Sequence, residues 1–311
     1  MPDEPHRTHV LATPDGRRLE LLTAGPEDGL PLVFHNGTPG GLVVFPAMVD
    51  AAAARGLRTV MYARPGYGGS TGQPGRRIAD AAADVTAVLD GLGARQFVTV
   101  GWSGGGPHAL ACAALLPGRC LAAASLAGVA PAQAPGLDWT AGMGPENVTE
   151  FAAALQGEAP LTAFLEEASA GLGQVSGQEV AEALGGLISA ADRAVVTAEF
   201  ADYLAGSFRA AQRGGIAGWR DDDIAFVGDW GFPADQAGAV PVAIWQGDED
   251  RMVPFGHGAW LAAHIPGARA HLASGEGHLT LLARSFGVVL DDLLDLAGQP
   301  CDGSGAAPGP D

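Results

Sequence analysis

A serine hydroxyl raised above the edge of a sheet, a histidine to take its proton and a carboxylate to hold that histidine together form an acyl-transfer apparatus. This chain of 311 residues carries those parts in that order. The pattern Gly-x-Ser-x-Gly, which can mark a strained strand-to-helix turn, occurs at Gly68-Gly69-Ser70-Thr71-Gly72 and at Gly101-Trp102-Ser103-Gly104-Gly105. With 47 glycines in the chain the pattern arises readily by chance, so the flanks must decide. Ser103 follows the apolar run Phe97-Val98-Thr99-Val100 and precedes the small, apolar stretch Pro107 to Leu116, a strand and a helix suited to packing on a sheet. Its neighbours Gly101, Gly104 and Gly105 allow a tight turn without side-chain clashes. Ser70 sits instead between Arg64-Pro65-Gly66-Tyr67 and Gln73-Pro74-Gly75, which is turn chemistry. The expected nucleophile is therefore Ser103.

Downstream, the apolar run Val240 to Gln246 ends in Gly247-Asp248-Glu249-Asp250-Arg251, placing carboxylates at the carboxyl end of a late strand, where sheet-borne sites lie. Asp248 and Asp250 are the two candidate acids on this loop, and Asp229 is a more distant one. Gly275-Glu276-Gly277-His278 then delivers a histidine just ahead of the last helical stretch, in a Gly-flanked position that suits a mobile ring. His108 is expected on a buried helix, and His257 and His264 on a surface helix. Trp102, beside the serine, and Trp230 with Phe232 further on are candidates for an apolar substrate pocket. Asp221-Asp222-Asp223 invites a metal reading, but three successive carboxylates cannot all face one ion on an ordered element, and a solvated turn is expected instead.

The elements that must position these groups alternate between strand and helix, which predicts an α/β fold with a mostly parallel central sheet flanked by helices. Strands are expected over residues 8–12, 19–23, 31–35, 58–62, 96–101 and 121–126, and helices over 42–55, 77–92 and 104–116. From residue 131 to 238 the alternation gives way to amphipathic helical stretches broken by Gly and Pro, such as 147–156 and 193–213. It returns with strands over 240–246 and 269–272 and helices over 256–264 and 279–296. The expected organisation is a first core part (1–130), an inserted helical cap (131–238), a second core part (239–298) and a disordered tail (299–311) rich in Gly, Pro and Ala.

Composition narrows the chemistry. The net charge of −18 arises from 35 acidic residues against 17 basic ones, and every basic residue is arginine. Schiff-base catalysis by lysine is excluded. So acidic a surface repels nucleic-acid phosphate and anionic lipid, and the expected substrate is a small neutral or weakly polar molecule. No apolar run reaches the roughly 18 residues of a membrane span, and the amino terminus lacks the basic and apolar segments of a secretory signal. Three scattered cysteines, Cys112, Cys120 and Cys301, fit reduced thiols and a cytoplasmic location.

In these motifs the chain resembles the α/β-hydrolase superfamily over nearly its whole length. Asn36-Gly37-Thr38-Pro39-Gly40 is similar to the family's oxyanion loop after the third strand, and Arg64 to Ser70 to its structural loop after the fourth. Gly101 to Gly105 resembles the nucleophile elbow, and Gly247 to Asp250 with Gly277-His278 resembles the acid and base segments. The family's acid usually lies three residues after such a glycine, which implies Asp250, with Ser103 and His278 completing a triad. The amides of Thr38 and Gly104 are implied as the oxyanion hole. The family's loop often begins His-Gly, whereas here Asn36 separates His35 from Gly37. A serine at the elbow resembles esterases and lactonases more than epoxide hydrolases or dehalogenases, whose elbows carry aspartate.

The resemblance implies hydrolysis of a small carboxylic ester or lactone through an acyl-enzyme, with no cofactor or metal, since protein groups supply each step. The same triad could cleave a carbon-carbon bond, remove an amino-terminal residue or cyclise an intermediate. A ligand-binding protein that has lost turnover is the reading from another class.

Overall fold

The structure is a computed structural model, and it describes residues 6–298. The cysteine at 301 and the expected tail 299–311 lie outside the described residues. Eight strands form one sheet: β1 His6–Ala12, β2 Arg18–Ala24, β3 Leu30–His35, β4 Leu57–Tyr62, β5 Phe97–Trp102, β6 Cys120–Leu126, β7 Val242–Gly247 and β8 Arg269–Ala273. Their order is β1-β2-β4-β3-β5-β6-β7-β8. The β1–β2 and β2–β4 pairs are antiparallel and every later pair is parallel.

The helices are α1 Pro46–Ala53, α2 Ala81–Gly91, α3 Gly106–Leu115, α4 Pro145–Gln156, α5 Glu158–Leu172, α6 Val180–Ala183, α7 Ala190–Arg193, α8 Ala198–Ala211, α9 Ala217–Val227, α10 Phe255–His264 and α11 His278–Leu296. Between β6 and β7 the described chain is helical, from α4 to α9, with no strand.

Both faces of the sheet are covered, so successive strand residues feed two separate cores. On β3, Val33 joins the core shared with α2, α3 and α10, while Leu32 and Phe34 join the one shared with α1 and α11. Phe97 and Val98 on β5 divide in the same way. Burial on both sides explains why these strands read as nearly unbroken apolar runs.

Two of the helices that begin later than their sequences imply do so for a local reason. The helix expected from residue 42 starts at Pro46, which occupies its first turn behind an extended Phe45. The preceding Gly41 amide is spent on the Ser207 carbonyl of α8. The helix expected over 193–213 breaks between α7 and α8, where Val195, Val196 and Thr197 form a β-branched run that disfavours helix.

Candidate active site

Ser103 stands at the carboxyl end of β5 with φ +56°, a left-handed conformation that only two described non-glycine residues adopt, the other being Ala127. A short 3-10 turn over Ser103–Gly105 then runs into α3. The turn closes only because its neighbours lack side chains. A Cβ on Gly101 would lie 2.0 Å from the Gly105 carbonyl oxygen, and one on Gly105 would lie 2.1 Å from the His35 carbonyl oxygen. Nine of the ten residues of α3 are buried, so the helix is packed against the sheet and holds the turn rigidly.

The acid and base loops are joined by their backbones. Asp248 N donates to the Ala273 carbonyl and Glu249 N to the Glu276 carbonyl, and a Cβ on Gly247 would meet the Glu276 oxygen at 2.0 Å. This seam brings Asp250 Oδ2 to 2.8 Å from His278 Nδ1. The other bonds to Asp250 fix it: Gln246 Nε2 donates to Oδ2, and the amides of Met252 and Val253 donate to Oδ1 at 2.9 and 2.8 Å. With Nδ1–H given to Asp250, Nε2 of His278 is left as the proton acceptor. Burial disfavours the charged ring, but the Asp250 charge and hydrogen bond outweigh it, with Asp192 adding to them, and the pKa of His278 is raised above 6.5.

Asp192 was not among the sequence candidates. From α7 it reaches across to the first turn of α11, where Oδ2 accepts from His278 N at 3.2 Å and Oδ1 from Leu279 N and Thr280 N at 2.7 and 3.2 Å. A carboxylate at a helix amino terminus satisfies its orphan donors and complements its dipole. Gly277 is required beside it, because a Cβ there would lie 2.4 Å from Asp192 Oδ1.

The loop carrying Thr38 rests on a buried polar network. Asp222, fully buried on α9, accepts from Arg64, from Tyr67 Oη at 2.9 Å and from Thr38 Oγ1 at 2.8 Å, and it pairs with Arg76 at 2.6 Å. Arg64 also donates to the carbonyls of Asn36 and Gly37. Burial alone would push the Asp222 carboxyl upward, but Arg64 and Arg76 hold it well below the usual carboxylate range. Gly104 is wedged against this loop, since a Cβ on it would be 2.4 Å from Thr38 Oγ1. The structure thus brings Thr38 and Gly104 side by side at the foot of the elbow.

A cavity of about 270 Å³ opens above them and is lined by Thr38, Trp102, Ser103, Gly104 and His278 from the sheet side and by residues of α4, α5, α8 and α9. Its wall is mainly apolar, including Phe151, Phe164, Leu204 and Phe226.

Several sequence expectations are corrected. Trp230 and Phe232 do not line this cavity; they pack on each other with ring centroids 5.9 Å apart in the core beside α2, where Ala79 N donates to the Trp230 carbonyl. Asp221, Asp222 and Asp223 are not a solvated turn but three buried residues of α9. Among the described residues no cluster suited to a metal ion exists. His278 is not a loose ring: it is 1% exposed and lies against Trp102, with centroids 5.4 Å apart. His257 is not on the surface; its ring accepts from Ala130 N and donates to the Trp139 carbonyl, and burial lowers its pKa to about 4.

The remaining candidates fall elsewhere. His264 is exposed. His108 is buried on α3 and donates to the Gly104 carbonyl; burial and Arg64 lower its pKa to about 3, so its 3.9 Å approach to Asp222 is not an ion pair. Ser70 donates to the Ala63 carbonyl and is buried. Asp248 binds Ser274 Oγ and Gly275 N at the surface, and Asp229 is an exposed partner of Arg77.

The sheet order, the left-handed serine after β5 and the acid and base loops after β7 and β8 define an α/β-hydrolase-type architecture. The model of the alpha/beta hydrolase fold family matches residues 31–284, and the chain belongs to that family. Among curated proteins, the chain is 34% identical over 149 residues to a non-heme chloroperoxidase of Streptomyces lividans, a match covering 47% of this chain and 54% of that protein. It is 33% identical over 119 residues to epoxide hydrolase B of Mycobacterium tuberculosis, covering 37% of this chain and 33% of that protein. The chain therefore spans about half, or a third, of the curated relatives it matches. Among solved structures, an esterase from Rhodococcus sp. ECU1013 superposes with a TM-score of 0.65 at 21% identity, covering 94% of this chain and 99% of that one, a likeness of fold. Among the described residues no helix is long and apolar enough to cross a membrane.

Proposed function

We propose that the protein is a serine hydrolase that cleaves a small carboxylic ester or lactone through an acyl-enzyme, using Ser103, His278 and Asp250. The observation that carries this reading is a serine held in a left-handed turn at a strand end, lining the same cavity as a histidine whose Nδ1 is 2.8 Å from a buried carboxylate. His278 Nε2 takes the Ser103 proton as Oγ attacks the substrate carbonyl, and the resulting imidazolium is stabilised by Asp250. The oxyanion forms at the amides of Thr38 and Gly104, where each donor is worth about 3 kcal/mol in such sites. His278 returns the proton to the leaving alcohol, and water then releases the acid by the same steps in reverse.

Residues 131–238 act in this reading as a cap whose helices roof the cavity and set specificity. Epoxide hydrolase B is a partial relative. The residue at the elbow here is nevertheless a serine, which suits attack on a carbonyl with a proton-accepting base beside it.

A panel of p-nitrophenyl esters, lactones and aminoacyl anilides tests the reading. Turnover of at least one ester or lactone, lost in Ser103→Ala, is the expected result. Turnover that persists at the wild-type rate in Ser103→Ala overturns it.

A further inference from the structure

The nucleophile and its base are anchored far apart in the sheet. Ser103 follows β5 and His278 follows β8, with β6 and β7 lying between those strands. Any relative shift along that path moves the imidazole against the hydroxyl, and a misplacement of about 1 Å in such a site can cost about 10²-fold in rate. One side chain crosses the gap directly. Trp102, the residue before Ser103, donates its indole Nε1–H to the His278 carbonyl at 3.2 Å.

The indole is held on its other sides as well. It is 9% exposed and shares a core with Leu279, Leu281 and Leu282 of α11, and its ring lies 5.4 Å from the His278 ring at an angle of 40°. Towards the loop of Thr38 the fit is equally close, since a Cβ on Gly37 would come 3.4 Å from Trp102 Cε3 and 3.3 Å from Ser103 Cβ. Asp250 fixes the edge of the imidazole at Nδ1, and Trp102 fixes the backbone from which that ring hangs. Trp102 also lines the cavity, but an apolar wall needs no donor, and a phenylalanine or leucine would serve it. The N–H is the part that the wall leaves unexplained.

We propose that Trp102 is a positioning residue for the base: its indole N–H and ring tie His278 to the peptide of Ser103, so that Nε2 meets Oγ at each proton transfer. The proposal rests on the serine-hydrolase reading and adds a fourth side chain to it. Trp102 acts through His278, and no bond of the substrate is made or broken by it. Supporting groups of this kind keep a reacting pair in register while the sheet around them flexes.

Trp102→Phe keeps an aromatic ring in the wall and removes the donor. With p-nitrophenyl butyrate, kcat is expected to fall about 10 to 100-fold while KM stays within about threefold. Because the effect passes through the imidazole, the same substitution in a His278→Ala background should change the residual turnover by less than about twofold. A loss that persists undiminished in that background, or one confined to KM, makes Trp102 part of the substrate wall and overturns the proposal. An unchanged kcat in Trp102→Phe overturns it too. If the phenylalanine variant does not fold, 3-benzothienylalanine at position 102, whose sulfur replaces only the indole N–H, gives the same comparison; failure of both to fold marks Trp102 as structural and overturns the proposal. Where the butyrate ester is not turned over, the rate of fluorophosphonate labelling at Ser103 is compared in the same proteins. Wild-type turnover or labelling that Trp102→Phe leaves unaltered removes the positioning role and keeps the hydrolase reading, whereas absence of both in the wild type brings the two down together.

Discussion

Asp250 and Asp222 are both buried carboxylates bonded to a residue that lines the cavity, His278 and Thr38 respectively, yet their surroundings assign them opposite work. Asp250 faces one titratable partner, His278, and its other bonds come from neutral amides. Asp222 faces two arginines that stay charged at every working pH, together with Tyr67 and Thr38. A carboxylate bonded to an imidazole can steady a charge that comes and goes, whereas one locked between guanidiniums can only hold parts in place. The first arrangement suits catalysis and the second pins the helix α9 to the loops below it.

Substitutions that separate these roles should differ in kind as well as size. Removing the proposed nucleophile sets the scale: Ser103→Ala is expected to lower kcat by about 10⁴ to 10⁶-fold with little change in melting temperature. Asp250→Asn, which keeps the shape but offers the imidazole the wrong partner, should lower kcat by about 10³ to 10⁴-fold and leave most of the stability intact. Asp222→Asn should do the reverse, leaving Arg64 and Arg76 buried without a counter-charge and costing about 3–5 kcal/mol in denaturant unfolding. Equal losses of stability in the two asparagine variants would erase the distinction.

Smaller effects sharpen it. Asp192→Ala removes three backbone hydrogen bonds at the start of α11 and is expected to cost about 1–3 kcal/mol and to reduce kcat without a matching rise in KM, since His278 loses its anchor rather than the substrate its site. The pH profile gives the finest test. The proposed mechanism needs neutral His278, whose pKa is raised above 6.5, so the acid limb of kcat/KM should fall above pH 6.5 and move downward in Asp250→Asn. Because the folded value is the higher one, His278 contributes stability that is full below pH 6.5 and fades as pH rises through the folded pKa. An acid limb below pH 6.5 in the wild type would contradict the assigned pairing.

The sheet was legible because burial on both faces writes strands as apolar runs, and all eight expected strands are present with their ends shifted by a few residues. The Gly-rich context of Ser103 was legible for a related reason: a backbone that passes 2.0 Å from a would-be Cβ leaves a glycine in the sequence. The helical segment between β6 and β7 was harder to read. Asp221-Asp222-Asp223 looks solvated because charge run and solvent usually go together, and only the arrival of Arg64 and Arg76 from loops more than 140 positions away makes the burial of Asp222 tolerable. Ser189-x-x-Asp192 carries the signature of a local helix cap, and the structure does show that cap. That the same carboxylate also caps α11 depends on a long-range contact that no local pattern records. Trp230 and Phe232 were misplaced for the converse reason: an aromatic pair serves a core as well as a pocket, and nothing nearby in the sequence distinguishes the two.

In the proposed mechanism Ser103 carries the reactive hydroxyl, activated by His278 and Asp250. Treatment of the protein with a fluorophosphonate, followed by peptide mass analysis, tests this role most directly. One adduct on Ser103, absent in Ser103→Ala and formed far more slowly in Asp250→Asn, is the predicted result. Wild-type protein that stays unlabelled, or an adduct that survives Ser103→Ala, would contradict it.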